Sequence, residues 1–177
     1  MRKANLHAEI TIRPFADGDA SQVRKLFIAT NRLLSPPHLR DAFEAYIEHS
    51  LAEEIDRIAA YYREHDGGFW VAIRSNRLVG TFGLERASRD AMELRRMYVD
   101  AAARRAGIAR QMLQFAENEC CRRKIFRLEL STAEIQTAAL ALYRSAGFKL
   151  VREDVAELSS NKTVGAGLRR LYFEKNL

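Results

Sequence analysis

The run from Met92 to Leu130 constrains this chain more than any other. A strand-like segment, Met92 to Val99, leads into a short basic loop, Arg104-Arg105-Ala106-Gly107-Ile108-Ala109-Arg110. A helix-like segment extends from Ile108 to Arg122, with Ile108, Met112, Leu113, Phe115 and Ala116 recurring at helical spacing. Ile125 to Leu130 then sets apolar residues among Arg and Glu, as a further strand does. A strand–helix–strand unit of this kind is parallel and right-handed. Ligands of such sheets gather beyond the C-terminal ends of the parallel strands, which is where the basic loop stands.

The loop has the chemistry of an anion site. The first N–H groups of a helix lack internal partners and point out along its positive dipole end, where phosphate binds. Gly107 removes a side chain where a ligand must come close. Ala109 keeps the next turn small. Arg104 and Arg105 add fixed positive charge suited to phosphate oxygens. An ordinary helix start with solvated arginines has the same pattern, so the loop is read with its neighbours.

The 177 residues, 47% hydrophobic and 29% charged, suit one globular domain over 1–177 with a buried core. Residues 1–7 are expected to form a loose N-terminal segment, basic but without the apolar core of a signal peptide. No apolar run reaches bilayer-spanning length. Cys120 and Cys121 are helix neighbours pointing in different directions, so a mutual disulfide is not expected. No Cys and His spacing matches a metal site. A reduced cytoplasmic protein without a metal is the simplest reading. The net charge of +6 suits an anionic partner. Much of the excess lies in Arg95, Arg96, Arg104, Arg105, Arg110, Arg122, Arg123 and Lys124, which flank the loop and its helix. Arginines gathered round one loop, without interleaved aromatics, favour a phosphate site over nucleic acid. Neither a nucleic acid nor a membrane is expected as partner.

Elsewhere the chain punctuates itself clearly. Glu9 to Arg13 alternates as a strand, and Asp17, Asp19 and Ser21 offer N-caps for a helix carrying Val23, Leu26 and Phe27. A single helix is expected from about Leu39 to Glu64, with Phe43, Tyr46, Ile47, Ile55, Ile58 and Tyr62 on one face. Phe69–Ile73 and Leu78–Leu84 form a hairpin about Ser75-Asn76. Gln136 to Ser145 forms a short helix ended by Gly147. Phe148–Glu153 and Leu168–Phe173 are the last strands, with Ser159 to Lys162 in a loose loop between them. The order β-α-α-β-β-β-α-β-α-β-β gives an α/β (α+β) fold with helices on the faces of a mixed sheet.

With these segments in order, the chain resembles the GNAT superfamily of acetyl-CoA-dependent N-acetyltransferases. The opening Ile12-Arg13-Pro14-Phe15 with Asp19 is similar to the family's start. Glu93 to Val99 is similar to its fourth strand, and Arg104-x-x-Gly107-x-Ala109 to its pyrophosphate loop. Gln136-x-x-Ala139-x-x-Leu142-Tyr143-x-x-x-Gly147-Phe148 is similar to its C-terminal helix and turn. The resemblance covers roughly residues 8 to 177. It departs from the family pattern at Ala109, where glycine is frequent. It implies a mostly antiparallel sheet of about seven strands, flanked by about four helices and splayed between strands 4 and 5.

The resemblance also implies roles. The N–H groups from Arg105 through Ala106, Gly107, Ile108 and Ala109 to Arg110 would hold the pyrophosphate of acetyl-CoA, the co-substrate, with Arg104 and its neighbours assisting. The backbone of Met97 and Val99 would pair with the pantetheine arm like an added strand. Gln136 stands where the family touches the cofactor, though it also reads as a helix-start residue. Tyr143 stands at the general-acid position, where a phenol can protonate the departing thiolate. On its own it also reads as a core tyrosine with a satisfied hydroxyl. Glu93, eleven residues before Arg104, matches a strand glutamate that acts as base in some members; it also reads as a solvent-facing carboxylate or a partner of Arg95. Glu85 is the second choice. Direct transfer in a ternary complex is expected, with Cys120 and Cys121 as packing residues. The acceptor would be a small amine, an amino acid or a peptide or protein amine, shaped by 31–40 and 162–167, and a homodimer is an expected assembly. The alternative is a non-catalytic acyl-CoA-binding sensor.

Overall fold

A computed structural model describes residues 9–177; the expected loose segment at 1–7 lies outside the described residues. The elements are β1 (Ile10–Pro14), α1 (Ala20–Leu34), α2 (Arg40–Glu53), α3 (Ile58–Glu64), β2 (Gly68–Arg74), β3 (Arg77–Arg86), β4 (Ala91–Val99), α4 (Ile108–Arg122), β5 (Arg127–Ala133), α5 (Thr137–Ser145), β6 (Lys149–Ala156) and β7 (Leu168–Asn176). Among the described residues seven strands form one sheet in the order β1-β2-β3-β4-β5-β7-β6. Every neighbouring pair is antiparallel except β4 and β5, the crossover expected from Met92 to Leu130. The β2–β3 hairpin turns at Ser75 and Asn76, both with positive φ, as a two-residue primed turn requires.

The period of each strand sorts its side chains between two faces. On one face α4 buries Ile108, Met112, Leu113, Ala116 and Cys120, and α5 buries Leu140 and Tyr143, against Phe82, Met92, Leu94, Leu128 and Phe173. On the other face Phe27, Phe43, Tyr46 and Ile47 of α1 and α2 form one cluster, and Val23, Ile58, Tyr61 and Tyr62 pack with Phe69 and Val71 in another. Area removed from water on both faces supplies the main driving force.

Two irregularities shape the centre. β4 and β5 pair only from Ala91↔Arg127 to Leu94↔Leu130, after which β5 pairs with β7 alone. The sheet is therefore splayed where the resemblance implied. In the same place β4 bulges: Tyr98 faces Thr81 and Arg95 faces Gly83, so β4 spends one more residue than β3. Arg96 takes a positive φ of 53°, and the Thr81 hydroxyl donates to its carbonyl at 3.0 Å. The bulge changes the parity of the strand, so that Arg95 and Arg96 both reach the same carboxylate.

The expected helix from Leu39 to Glu64 is two helices, α2 and α3, so five α-helices are present among the described residues. The break falls at Glu54, whose φ/ψ of −137°/−60° ends α2. An amphipathic stripe passes through this point unbroken, so periodicity could not reveal it. The break turns the Glu54 side chain inward, where none of it is exposed and two arginines bind it. Asp19 also differs from expectation. It makes no side-chain cap to α1 but takes the Arg13 guanidinium at 2.7 and 2.9 Å and the Ala16 N–H at 2.9 Å.

Candidate active site

A groove of about 540 Å³ runs along the splay between the end of β4, the start of α4 and the start of α5. Met97, Tyr98 and Val99 line it from β4, and Arg104, Arg105, Ile108 and Ala109 from the loop and first helical turn. Gln136, Ala139, Leu142 and Tyr143 close the opposite side. Past Leu94 the β5-side edge of β4 has no partner strand, which leaves backbone groups for an extended ligand. Ala106, Gly107 and Arg110 are exposed beside the groove rather than lining it.

The loop owes its shape to two left-handed residues. Arg105 has φ 63° and Gly107 has φ 74°. Gly107 caps α4, and a Cβ built there would meet nothing within 4 Å. The backbone conformation therefore favours glycine at this position. Left-handed turns before a helix aim successive N–H groups at one point, making an anion cradle. Not all of the expected charge belongs to it. Arg122, Arg123 and Lys124 sit at the far end of α4, about 22 Å along its axis. Glu119 engages Arg122 and Arg123 there. Arg95 and Arg96 are buried and paired. Arg104, Arg105 and Arg110 remain beside the cradle.

A narrower cleft of about 70 Å³ meets the groove from the α1–α3 face of the sheet. The two share Met97, Tyr98, Gln136 and Tyr143. Tyr143 packs its ring on Phe148 and Phe173, at centroid distances of 5.8 and 6.5 Å. Its hydroxyl has no hydrogen-bond partner among the described residues, and Tyr143 lines both the groove and the cleft. Burial pushes that phenol up to about 12, which keeps its proton in place at neutral pH. The Gln136 side-chain carbonyl accepts from the Thr132 hydroxyl, so the residue is held at the junction and gives α5 no side-chain cap.

Glu93 lines the cleft from β4 and accepts a hydrogen bond from Lys162 Nζ at 3.0 Å. Its partner is therefore Lys162, and Arg95 pairs elsewhere. Glu54 Oε2 accepts from Arg95 at 2.7 Å and from Arg96 at 2.6 Å, and Glu54 Oε1 accepts from the Tyr62 hydroxyl at 2.6 Å. Tyr62 reaches that carboxylate across Gly83, where any Cβ would lie 2.2 Å from its hydroxyl. Glu85 accepts from Arg95 and the Tyr61 hydroxyl, both at 2.8 Å, and from Lys162 at 2.6 Å. Burial opposes the Glu85 charge, but Arg95 and Lys162 outweigh it and hold the carboxyl at about 2. Glu85, the second choice for a base, does not line the cleft, and its carboxylate is engaged by Arg95, Tyr61 and Lys162. Burial likewise opposes the Glu54 anion, and Arg96 and Arg95 still bring its carboxyl below the usual range.

The segment read as a loose loop is fastened to this network. The Asn161 carbonyl accepts from Arg96 at 2.6 Å and from Arg95 at 3.3 Å, and Ser159 donates to the Ala42 carbonyl at 2.9 Å. Lys162 lies in the 162–167 segment expected to shape the acceptor site, whereas sequence reasoning missed Tyr46, Asn161 and Arg170 as cleft residues. No local signal marks them, because each comes from a different element. Cys120 is buried and its thiol is raised to about 12 by that burial, so it is no nucleophile. Among the described residues no cluster of three or more His, Cys, Asp and Glu could hold a metal.

Comparison with known proteins agrees with this geometry. Residues 65–150 match the family described as acetyltransferase (GNAT) domain. The chain is 31% identical over 141 residues to N-acetylaspartate synthetase of Danio rerio, covering 76% of this chain and 48% of that protein. It is 33% identical over 114 residues to N-acetyltransferase 8 of Homo sapiens, covering 59% and 48% respectively. The chain thus spans about half the length of the curated relatives it matches. Among solved structures, a GNAT-family acetyltransferase from Staphylococcus aureus Mu50 superposes with a TM-score of 0.74 at 21% identity, covering 96% of this chain and 99% of that one. PaiA N-acetyltransferase from Thermoplasma acidophilum, in complex with coenzyme A, superposes with a TM-score of 0.74 at 18% identity and the same coverage. The matched residues give the chain a GNAT acetyltransferase domain at 65–150, and the splayed sheet built around it has the fold of those solved structures.

Proposed function

We propose that the protein transfers an acetyl group from acetyl-CoA directly to an amine. One observation carries this: a groove and a cleft meet at Tyr143, so a donor and an acceptor can reach one point from opposite faces of the sheet. The groove has a place for each part of the donor. The N–H groups from Arg105 to Arg110 and the neighbouring guanidiniums suit a pyrophosphate. The free edge of β4 at Met97 and Val99 suits an amide-bearing arm, and Gln136 lies alongside.

The chemistry follows from what meets there. The amine nitrogen attacks the thioester carbonyl, forming a C–N bond as the C–S bond breaks. The Tyr143 phenol donates its proton to the departing sulfur. Glu93, on the cleft side, takes the proton that the ammonium must lose before it can attack. Backbone N–H groups at the β4 bulge offer polarisation to the carbonyl oxygen. Cys120 and Cys121 have no part in this, and transfer proceeds without an acyl-enzyme.

The names of several relatives refer to an acetylated amino acid, which puts amino acids first among acceptors to try. A homodimer has an edge to use in β6, where Leu150, Val151 and Val155 are exposed. Two free cysteines fit a reducing, cytoplasmic setting. The test is calorimetric titration with acetyl-CoA, followed by thiol release against amines, polyamines, amino acids and peptides. Binding with release for one acceptor class is expected. Acetyl-CoA binding with no release from any class would overturn the transferase reading.

A further inference from the structure

The charges lining the narrow cleft do not balance. Arg95 and Arg96 are neutralised by Glu54 and Glu85, and Lys162 lies between Glu85 and Glu93. Four cations, Arg95, Arg96, Lys162 and Arg170, thus share three carboxylates. The uncompensated one is Arg170, which forms no ion pair among the described residues. Its Nε donates to Ser131 Oγ at 2.9 Å, which fixes the plane of the guanidinium, and its two Nη groups have no partner within the protein among the described residues. Burial works against this charge, and Tyr46, Tyr172 and Glu93 only partly offset it. A desolvated arginine with an open fork suits a planar, bidentate anion.

Its position gives that anion a role. Arg170 and Glu93 both line the narrow cleft, and both also line a second opening of about 360 Å³ that leads to it from solvent. Any acceptor entering from that side passes between a carboxylate and a free guanidinium before reaching Tyr143. We infer that the acceptor is an amine bearing a free carboxylate near its nitrogen, with Arg170 receiving the carboxylate while Glu93 faces the ammonium. Ser131 is then a positioning residue that orients the Arg170 fork. The inference rests on the proposed transfer reaction and narrows its acceptor from any amine to an amino acid.

Two measurements separate this inference from the reaction it rests on. The first is thiol release from acetyl-CoA with alanine, serine, methionine and phenylalanine, each compared with its α-carboxamide and its decarboxylated amine. The free acids should lead in kcat/KM by on the order of 10- to 100-fold, the range for a charge-assisted pair. In Arg170→Met that preference should collapse, mainly through KM, and Arg170→Lys should restore part of it. Equal rates for acids and carboxamides, or a preference that survives Arg170→Met, would overturn the inference and leave transfer standing. The second measurement is calorimetric binding of the N-acetylated amino acids, which needs no turnover. Binding lost in Arg170→Met supports the anion site even where no acceptor is acetylated, and absence of binding by every acid refutes it.

Discussion

The wide groove and the narrow cleft share Met97, Tyr98, Gln136 and Tyr143 and are otherwise built in opposite ways. The groove draws on three short runs of sequence, Met97–Val99, the loop and first turn from Arg104 to Ala109, and Gln136–Tyr143, and it offers backbone N–H groups and small or apolar side chains. Much of its loop is exposed. The cleft wall takes Glu54, Glu85, Arg95, Arg96, Asn161 and Lys162 from four places in the chain, and its ionic centre is buried. A buried ion network is costly to assemble and more costly to leave half-made. The two regions should therefore fail differently: groove variants should lose ligand or rate with modest loss of stability, and wall variants should lose the fold.

The largest effect is expected at Glu54. Glu54→Ala leaves Arg95 and Arg96 buried without their shared carboxylate and should cost about 3–5 kcal/mol in urea unfolding. A loss below about 1 kcal/mol would mean that the wall is not held by this network. Acid attacks the same wall. The carboxyls of Glu85, held at about 2, and Glu54, also depressed, stabilise the fold fully above their unfolded values near 4.3. That stability should drain away as pH falls from about 5 towards 2. Flat melting temperatures across that window would contradict it.

Tyr143→Phe sharpens the contrast from the shared point. Turnover should fall by about 10²-fold or more, acetyl-CoA affinity should hold, and stability should change by about 1 kcal/mol at most. Turnover equal to the parent would remove the phenol as acid. The smallest effect is expected in the loop. Gly107→Ala forces a side chain into a left-handed conformation and should cost about 1–2 kcal/mol, with weaker acetyl-CoA binding in the same calorimetric titration. Unchanged binding would separate the cradle from the phosphate.

Legibility in the sequence followed the same division. The strand, loop and helix from Met92 to Arg122 could be read because each residue's role depends on near neighbours. The break at Glu54 could not, because a stripe of Ile47, Ile55, Ile58 and Tyr62 satisfies helical spacing on both sides of it. Arg95 and Arg96 passed for surface charge near a phosphate loop. One extra residue in β4 turned both towards Glu54 instead. Ser159 to Lys162 passed for a loose loop because its anchors lie on α2, β3 and β4, far away in sequence.

Local chemistry alone therefore determined the crossover, the anion cradle before α4 and the family they resemble. Such features need only dihedral preferences, hydrophobic period and helix-end electrostatics, all of which act over a few residues. Tertiary structure decided which charges are spent on one another and which remain to meet a ligand. Pairing is set by distance in space, and burial makes an unpaired charge costly wherever it sits. Arg170 is one arginine among many in the sequence; it becomes the open one only when Glu54, Glu85 and Glu93 are seen to be committed to Arg95, Arg96 and Lys162.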